Sequence, residues 1–396
     1  MPRPRRPAVQ QADLHGLKYF SLLQPLLERL HNVGTARDKA GNRHLFFDQY
    51  TALLLLYFFS PVVTSLRGLQ QASDLAKVQK RLGVRHLSLG ALSEATGVFA
   101  AAPLRVIVQE LARRALPLEQ GADAQALRDL TAVDGTLLPA LPQMVWALWT
   151  DPQHRAAKLH LHFDILKGVP CDATLTAANG SEAEQLQASL APGRFYALDR
   201  GYASYELLRG ILAVGSSFVL RVKDNIAFGL RRERPLTAAA RAAGVVRDLE
   251  LFRLGTLYGQ ESFHHALRLV IVRRTRPDGN TEELWLLTDR LELPAELVAL
   301  AYRYRWTVEL FFRWLKCILG CRHLLALDAN GVAIQCYVAL IASLLVTLWT
   351  GRKPTKRTWE MIQFYLIGWA SLAEVEAHLA RLKAAEEAKA RKDTAA

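Results

Sequence analysis

Up to about residue 122, apolar positions recur at three- and four-residue steps with little β-branched alternation, a pattern that predicts helices. Within this stretch DLAKVQKRL ends at Gly83, a short polar connection follows, and Ser88 is placed to cap a second helix through SLGALSEATG. The order is helix, turn, helix. The connection is longer than the three- or four-residue turn of DNA-reading examples, so groove recognition and plain helix packing stand as equal readings.

From about residue 123 the period shortens. LTAVDGTLL, KLHLHFDIL, FYALDRGY and SFVLRVKDN are short apolar runs that stop at polar or glycine positions, as strands do, and EAEQLQASL and YELLRGILAV read as helices between them. That alternation predicts an α/β sheet. A second strand-rich stretch fills about 225–292, with PDGN as a hairpin turn, and reads as a β-rich insertion. Beyond it, ELPAELVALAYRYRWTVELFFRWLKCILG predicts one long helix and residues 332–350 another. The run from Met361 predicts a last helical segment whose charged, alanine-rich end is expected to fray. The expected domains are a helical N-terminal domain at 1–122, an α/β domain at 123–350 and a C-terminal helical segment and tail at 351–396.

Composition and charge narrow the class of partner. A chain of 396 residues, 51% of them hydrophobic, can bury more than one core. Lys+Arg 50 against Asp+Glu 37 leaves a formal net charge of +13, which favours polyanionic partners. The four cysteines do not make a disulfide framework, and no apolar secretory segment follows the start MPRPRRPAVQQ, so a cytoplasmic location is expected. Cys317, Cys321 and His323 lie close in sequence, but a fourth zinc ligand is missing and small helical thiols are the simpler reading. Residues 45–63 and 332–350 are apolar enough to raise a membrane span. Asp48, Gln49 and Pro61 interrupt the first and Gln335 the second, so both are expected as core helices, with no membrane partner.

The candidate chemistry is carboxylate chemistry. Asp134 follows an apolar strand and precedes Gly135, and Asp199 repeats the arrangement ahead of Gly201. A single Asp-Gly is ordinarily a turn. Two acids delivered by two strands to one sheet edge are where α/β sheets place a site, and hard divalent cations take oxygen ligands of this kind. On the long helix, Tyr302, Arg305, Glu309 and Lys316 stand at i, i+3, i+7 and i+14. On one continuous helix they fall within roughly 60° of one another and form a polar stripe about 21 Å long. Val308, Phe311 and Leu315 point away from it. The plain alternative is a solvated helix face. His160 and His162 face one way from KLHLHFDIL, with packing favoured over a site role, and Arg221 and Lys223 can meet DNA or solvent.

Tyr302-x2-Arg305-x3-Glu309-x6-Lys316 resembles the Y-R-E-K signature of bacterial insertion-sequence transposases, the insertion-sequence-four family, and AVDGTLL and LDRGYASY precede it in the family's order. The resemblance covers about residues 123–350. It implies an RNase H-like catalytic core with a β-rich insertion, preceded by an all-α N-terminal DNA-binding domain. It further implies a DDE triad of Asp134, Asp199 and Glu309 that binds two magnesium ions, with manganese as a substitute. The implied partner is double-stranded DNA, as terminal inverted repeats and as target, with a homodimer expected in the complex. Arg305 and Lys316 are then expected along the DNA backbone and Tyr302 at a phosphate near the cut end. Trp285 is a candidate platform for a flipped base, against the simpler reading of a core tryptophan. Two other readings use the same acids: an RNase H-like structure-specific nuclease, and a DNA-binding remnant that no longer cuts.

Overall fold

The computed structural model describes residues 20–38, 41, 43–118, 121–149, 154–255, 262–276, 278–317, 320 and 323–395. In chain order the first helices are α1 (Phe20–Glu28), α2 (Phe47–Phe59), α3 (Leu66–Ser73), α4 (Ala76–Leu82), α5 (Leu89–Val98), α6 (Ala102–Arg114) and α7 (Ala122–Ala126). Next come β1 (Leu130–Pro139), β2 (Ala156–Asp164), β3 (Val169–Ala177), α8 (Glu182–Ala188), β4 (Phe195–Leu198), a 3-10 turn (Arg200–Tyr202), α9 (Tyr205–Ala213) and β5 (Ser217–Val222). The strand-rich stretch holds β6 (Phe228–Glu233), α10 (Ala238–Ala242), β7 (Val245–Leu254), β8 (Leu267–Thr275) and β9 (Thr281–Thr288). Last are α11 (Ala295–Tyr304), α12 (Thr307–Cys317), α13 (Ala329–Thr350), α14 (Lys356–Leu366) and α15 (Leu372–Ala395).

The chain divides into two units. One joins residues 1–116 and 139–147 with 313–396, and the other joins 117–138 with 148–312, so the division falls inside α12. This differs from the three consecutive domains expected from sequence. The difference has a physical cause in α13, which was placed with the α/β domain. It packs on α2, α5 and α6 instead, because nearly all its residues are apolar and need cover on every side.

In the helical unit the polar residues that interrupt the apolar runs are satisfied internally. Asp48, fully buried on α2, accepts from His31 Nδ1 at 2.9 Å, and Gln49 Nε2 donates to the Gly83 carbonyl at 3.0 Å. On α13, Gln335 accepts from the Leu325 amide at 2.8 Å and donates to the His323 carbonyl at 2.7 Å. Asn330 donates to the Thr96 and Phe99 carbonyls, each at 2.7 Å, and so ties the start of α13 to the corner between α5 and α6. Although α13 is long and apolar enough to cross a membrane, 89% of its most apolar window is buried inside the protein. The last segment is helical from Leu372 to Ala395 as α15.

The helix-turn-helix expectation is met in form. Gly83 closes α4 with a left-handed φ of 63°, and the Ser88 hydroxyl caps α5 by accepting from the Ala91 amide at 3.1 Å. The exposed positions of α5, however, are Gly90, Ser93, Glu94 and Gly97. That face carries one acid and no cation, and the exposed basic positions nearest to it are Arg85 and His86 in the connection before α5.

In the second unit, among the described residues, nine strands form one mixed sheet in the order β3-β2-β1-β4-β5-β9-β8-β7-β6. β1, β4 and β5 run parallel, whereas β5 through β9 and β6 pair antiparallel. The strand-rich stretch therefore extends the same sheet and is not a separate layer. Its β8–β9 hairpin closes as the PDGN signal predicts, with Gly279 at a φ of 83°. Leu186 of α8 and Leu207, Leu208 and Ile211 of α9 cover one face, packing on Tyr196, Leu198, Phe218 and Leu220. The alternate residues Ala197 and Val219 are also fully buried and face the other side, where α11 crosses β4, β5 and β7 to β9.

Candidate active site

The parallel ladder between β1 and β4 pairs Leu130 with Phe195, Thr131 with Tyr196 and Ala132 with Ala197. Asp134 and Asp199 each lie two residues beyond the Ala132–Ala197 rung, so side-chain alternation puts both carboxylates on one side of adjacent strands spaced about 4.8 Å apart. Asp134 does not end its strand as expected. It is the fifth of ten residues in β1, at the point where pairing with β4 has stopped. The Asp134 Oδ1 accepts from the Gly135 amide at 2.8 Å, and the Asp199 Oδ1 accepts from the Gly201 amide at 2.8 Å, which caps the 3-10 turn.

Glu309 reaches this edge through Arg305. The guanidinium lies 2.8 Å from Glu309 Oε1 and 3.4 Å from Asp134 Oδ2, so one cation bridges two of the three acids. The continuous helix expected here is overturned. Residues 305 and 306 leave the α-helical register between α11 and α12, with Arg305 N–H donating to the Tyr302 carbonyl and Trp306 N–H to that of Arg303. The Thr307 hydroxyl takes up the Tyr304 carbonyl at 2.8 Å. Side-chain hydrogen bonds and three-residue turns are known ways to break a helix without proline or glycine. Arg305 nonetheless meets its neighbours on both sides: it contacts Glu309, and its carbon Cζ is 5.8 Å from the ring centre of Tyr302, which is buried at 9% exposure. Lys316 is half-buried on α12, seven residues after Glu309.

Several residues at this edge were not singled out from sequence. Glu182, the first residue of α8, accepts from Lys158 Nζ at 3.3 Å. Tyr202 is 1% exposed, and its hydroxyl has no hydrogen-bond partner among the described residues. Trp306, 53% exposed, stands three residues before Glu309. Burial pushes the Asp134 carboxyl up to about 6 against the opposing pull of Arg305 and the Gly135 amide, and Asp199 and Glu182 add to the rise. Burial also raises the Tyr202 phenol well above its ordinary value, followed in effect by the charges of Glu182, Asp134 and Asp199.

The remaining candidates lie elsewhere. Trp285 is half-buried on β9, edge-on to Phe228 with ring centres 6.3 Å apart, and packs against the apolar core. His160 bonds Thr176 Oγ1 at 2.8 Å and His162 bonds Ser189 Oγ at 3.1 Å, as packed strand residues. Arg221 faces Glu282 at 3.9 Å. Of the cysteine pair weighed as a zinc site, Cys321 lies outside the described residues.

Among the described residues no three His, Cys, Asp or Glu side chains are gathered closely enough to hold one ion. The donor set at the sheet edge, carboxylate oxygens throughout, nonetheless suits magnesium or manganese. Arg305 supplies one positive charge between Asp134 and Glu309 where a divalent ion would supply two. For such an ion to touch both acids, the guanidinium has to withdraw.

Residues 125–345, more than half of the chain, match the family model described as "Transposase DDE domain". The chain is a DDE transposase. Two relatives bear transposase names. One, y4zB of Sinorhizobium fredii, is 30% identical over 248 residues, which are 62% of this chain and 68% of that protein. The other, from the insertion sequence element IS5377 of Geobacillus stearothermophilus, is 28% identical over 235 residues, and this transposase spans 59% of its length. Among solved structures, the piggyBac transposase synaptic complex with hairpin DNA aligns over 95% of this chain and 87% of its own, with a TM-score of 0.42 and 12% identity. A likeness that distant carries no argument about residues or activity.

Proposed function

We propose that this transposase binds the terminal inverted repeats of its element, cleaves them, and joins the freed 3′-hydroxyls to target DNA, with Asp134, Asp199 and Glu309 as its DDE acids. The observation that carries this reading is the in-register placement of Asp134 and Asp199 together with the guanidinium that links Asp134 to Glu309. The β3-β2-β1-β4-β5 order, with β1, β4 and β5 parallel, supports an RNase H-like core. The Y-R-E-K spacing supports a place in the insertion-sequence-four family.

The three acids are suited to hold two divalent ions, magnesium or manganese, which when bound supply activation of the attacking oxygen and stabilisation of the departing one. The chain's own part is positional. β1 and β4 hold two carboxylates side by side, α12 brings the third, and Arg305, once displaced from the acids, is placed to pair with a DNA phosphate. Lys316 extends basic contact along α12, Tyr302 supports Arg305 from beneath, and Trp285 is the candidate platform for an extruded base. A homodimer on DNA, in the cytoplasm, completes the proposal.

The test is cleavage of a terminal-repeat duplex by Asp134→Ala, Asp199→Ala and Glu309→Ala. Each is expected to bind ends within a few-fold of wild type and to lose cutting, since the acids serve metal and not DNA affinity. Metal-dependent cutting retained by any of the three rejects that residue's assignment. Cutting without joining of paired ends by the wild type would favour the structure-specific nuclease.

A further inference from the structure

The two units use their basic residues differently. In the sheet, Arg232, Arg247, Arg273 and Arg274 each pair with a glutamate of a neighbouring strand. In the helical unit, Arg67, Lys77, Lys80, Arg81 and Arg85 fall within 19 residues of one another, and from 49 to 93 the only acid in the sequence is Asp74. Asp74 is itself engaged, with the imidazole of His86.

Local structure brings three of these cations to one surface. Gly83, at a φ of 63°, reverses the chain at the end of α4. Residues 84–87 then return to the corner between α3 and α4, where the Leu87 amide donates to Ser73 Oγ at 3.0 Å and His86 pairs with Asp74. Gln79 Nε2 ties α4 to the same corner, 2.8 Å from the Ser73 carbonyl. Val84 and Leu87 are buried, whereas Arg85 and His86 between them are exposed. On α4, Leu82 is buried and Val78 and Gln79 are half-buried, whereas Lys77 and Lys80, neighbours on the helix surface, are exposed. The connection therefore lies back along α4 with its apolar residues inward and its cations outward. Among the described residues, no carboxylate pairs with Lys77, Lys80 or Arg85.

Uncompensated positive charge along a helix of about 10 Å repels itself, and a polyanion relieves that repulsion. We propose that Lys77, Lys80 and Arg85 form a strip that holds the phosphate backbone of duplex DNA, with α4 and the connection after it lying along that backbone. Such contacts fix position and supply affinity that does not depend on base sequence. His86 orients the connection through Asp74 and is not itself a contact. The proposal rests on the reading that this transposase binds DNA, and not on which ends it recognises.

The experiment is fluorescence anisotropy of the full chain on a terminal-repeat duplex and on an unrelated duplex of equal length, across a salt series and without divalent ions. Wild type is compared with Lys77→Ala/Lys80→Ala/Arg85→Ala and with the charge-preserving Lys77→Arg/Lys80→Arg/Arg85→Lys. A third variant, Arg273→Ala, removes a cation already paired with Glu283. Each lost phosphate contact lowers the slope of log affinity against log salt by about 0.9, so the triple alanine variant should lose about 2.7 of it. It should also bind both duplexes about tenfold or more weakly at low salt, by the same factor. The charge-preserving variant and Arg273→Ala should keep the wild-type slope. Should the triple alanine variant fail to fold, the three single alanine variants decide, each expected to lose about 0.9. A wild-type slope in the alanine variants overturns the proposal, and so does a loss confined to the terminal repeat, which would make the strip a reader of bases. If the wild type binds neither duplex, the DNA-binding reading fails and the strip falls with it. Equal wild-type binding to both duplexes rejects terminal-repeat recognition alone, and the slopes still decide the strip.

Discussion

The antiparallel half of the nine-stranded sheet that runs from β5 to β6 and the parallel strands β1, β4 and β5 at its middle treat their charges in opposite ways. On the antiparallel end, acids meet arginines directly across the ladder: Arg232 opposite Glu250, Arg273 opposite Glu283 and Arg274 opposite Glu282. Hydrogen bonds from Arg276, and then from Arg274, pull the Glu282 carboxyl down to about 2. At the parallel middle, burial holds the Asp134 carboxyl up at about 6, and its acidic neighbours Asp199 and Glu182 add to the rise. Paired charges in a ladder are a structural device. Asp134 is a buried carboxylate with acids for neighbours, and Arg305 opposes the rise in its pKa without cancelling it.

The comparison can be broken hardest at Arg268, on the antiparallel end. Arg268 is 2% exposed and makes a bidentate pair with buried Asp248 at 2.7 Å, besides donating to the Leu291 and Leu293 carbonyls. Arg268→Ala leaves a buried acid unpaired and should cost about 3–5 kcal/mol in urea unfolding. A loss below 1 kcal/mol would mean that the antiparallel end tolerates an unpaired buried acid.

At Asp134 the sign should reverse. Asp134→Asn removes a charge that the metal-free fold disfavours, so thermal unfolding at pH 8 without metal should show a gain of about 1–2 kcal/mol, while cleavage is lost. An unchanged or lowered melting temperature would show that Arg305 already compensates Asp134 in full.

A similar size of effect, as a function of pH, is expected from His160. Burial foremost, then Lys158 and His162, depress its pKa from 6.5 to about 4. The folded protein keeps the ring neutral while the unfolded chain takes up a proton below pH 6.5. The stabilisation it provides is therefore complete above pH 6.5 and is lost as pH falls toward about 4, by about 1–3 kcal/mol. His160→Gln should flatten that part of the stability profile, and an identical slope in the variant would move the cause to other groups.

The smallest effect belongs to the exposed ladder. Arg273 and Glu283 lie 2.9 Å apart, but their side chains are 57% and 39% exposed. Arg273→Ala should change stability by less than about 1 kcal/mol, and 1 M salt should erase the difference. A larger loss would require the ladder to act as a network.

Much of this arrangement is already written in the local sequence. Asp134 and Asp199 are legible because each follows an apolar run and has a glycine one or two residues on, and Ser88, Gly83 and PDGN mark their helix cap, helix end and hairpin turn by local backbone chemistry alone. Periodicity likewise separates the helical stretches from the strands, since alternation of burial is a property of a few neighbouring residues. The tertiary structure decided what depends on distant partners. AYRYRWTVELFF contains no proline or glycine, and its break at Arg305–Trp306 accompanies contacts of Arg305 with Asp134, 171 residues away, and with Glu309. EAEQLQASL reads as an ordinary capped helix, and only the packing of α8 on the sheet carries Glu182 to Gly135 and Gly201. The same holds for α13, whose apolar sequence states that it must be covered on all sides but not by which helices, because burial is non-directional and the choice among apolar partners is made by shape.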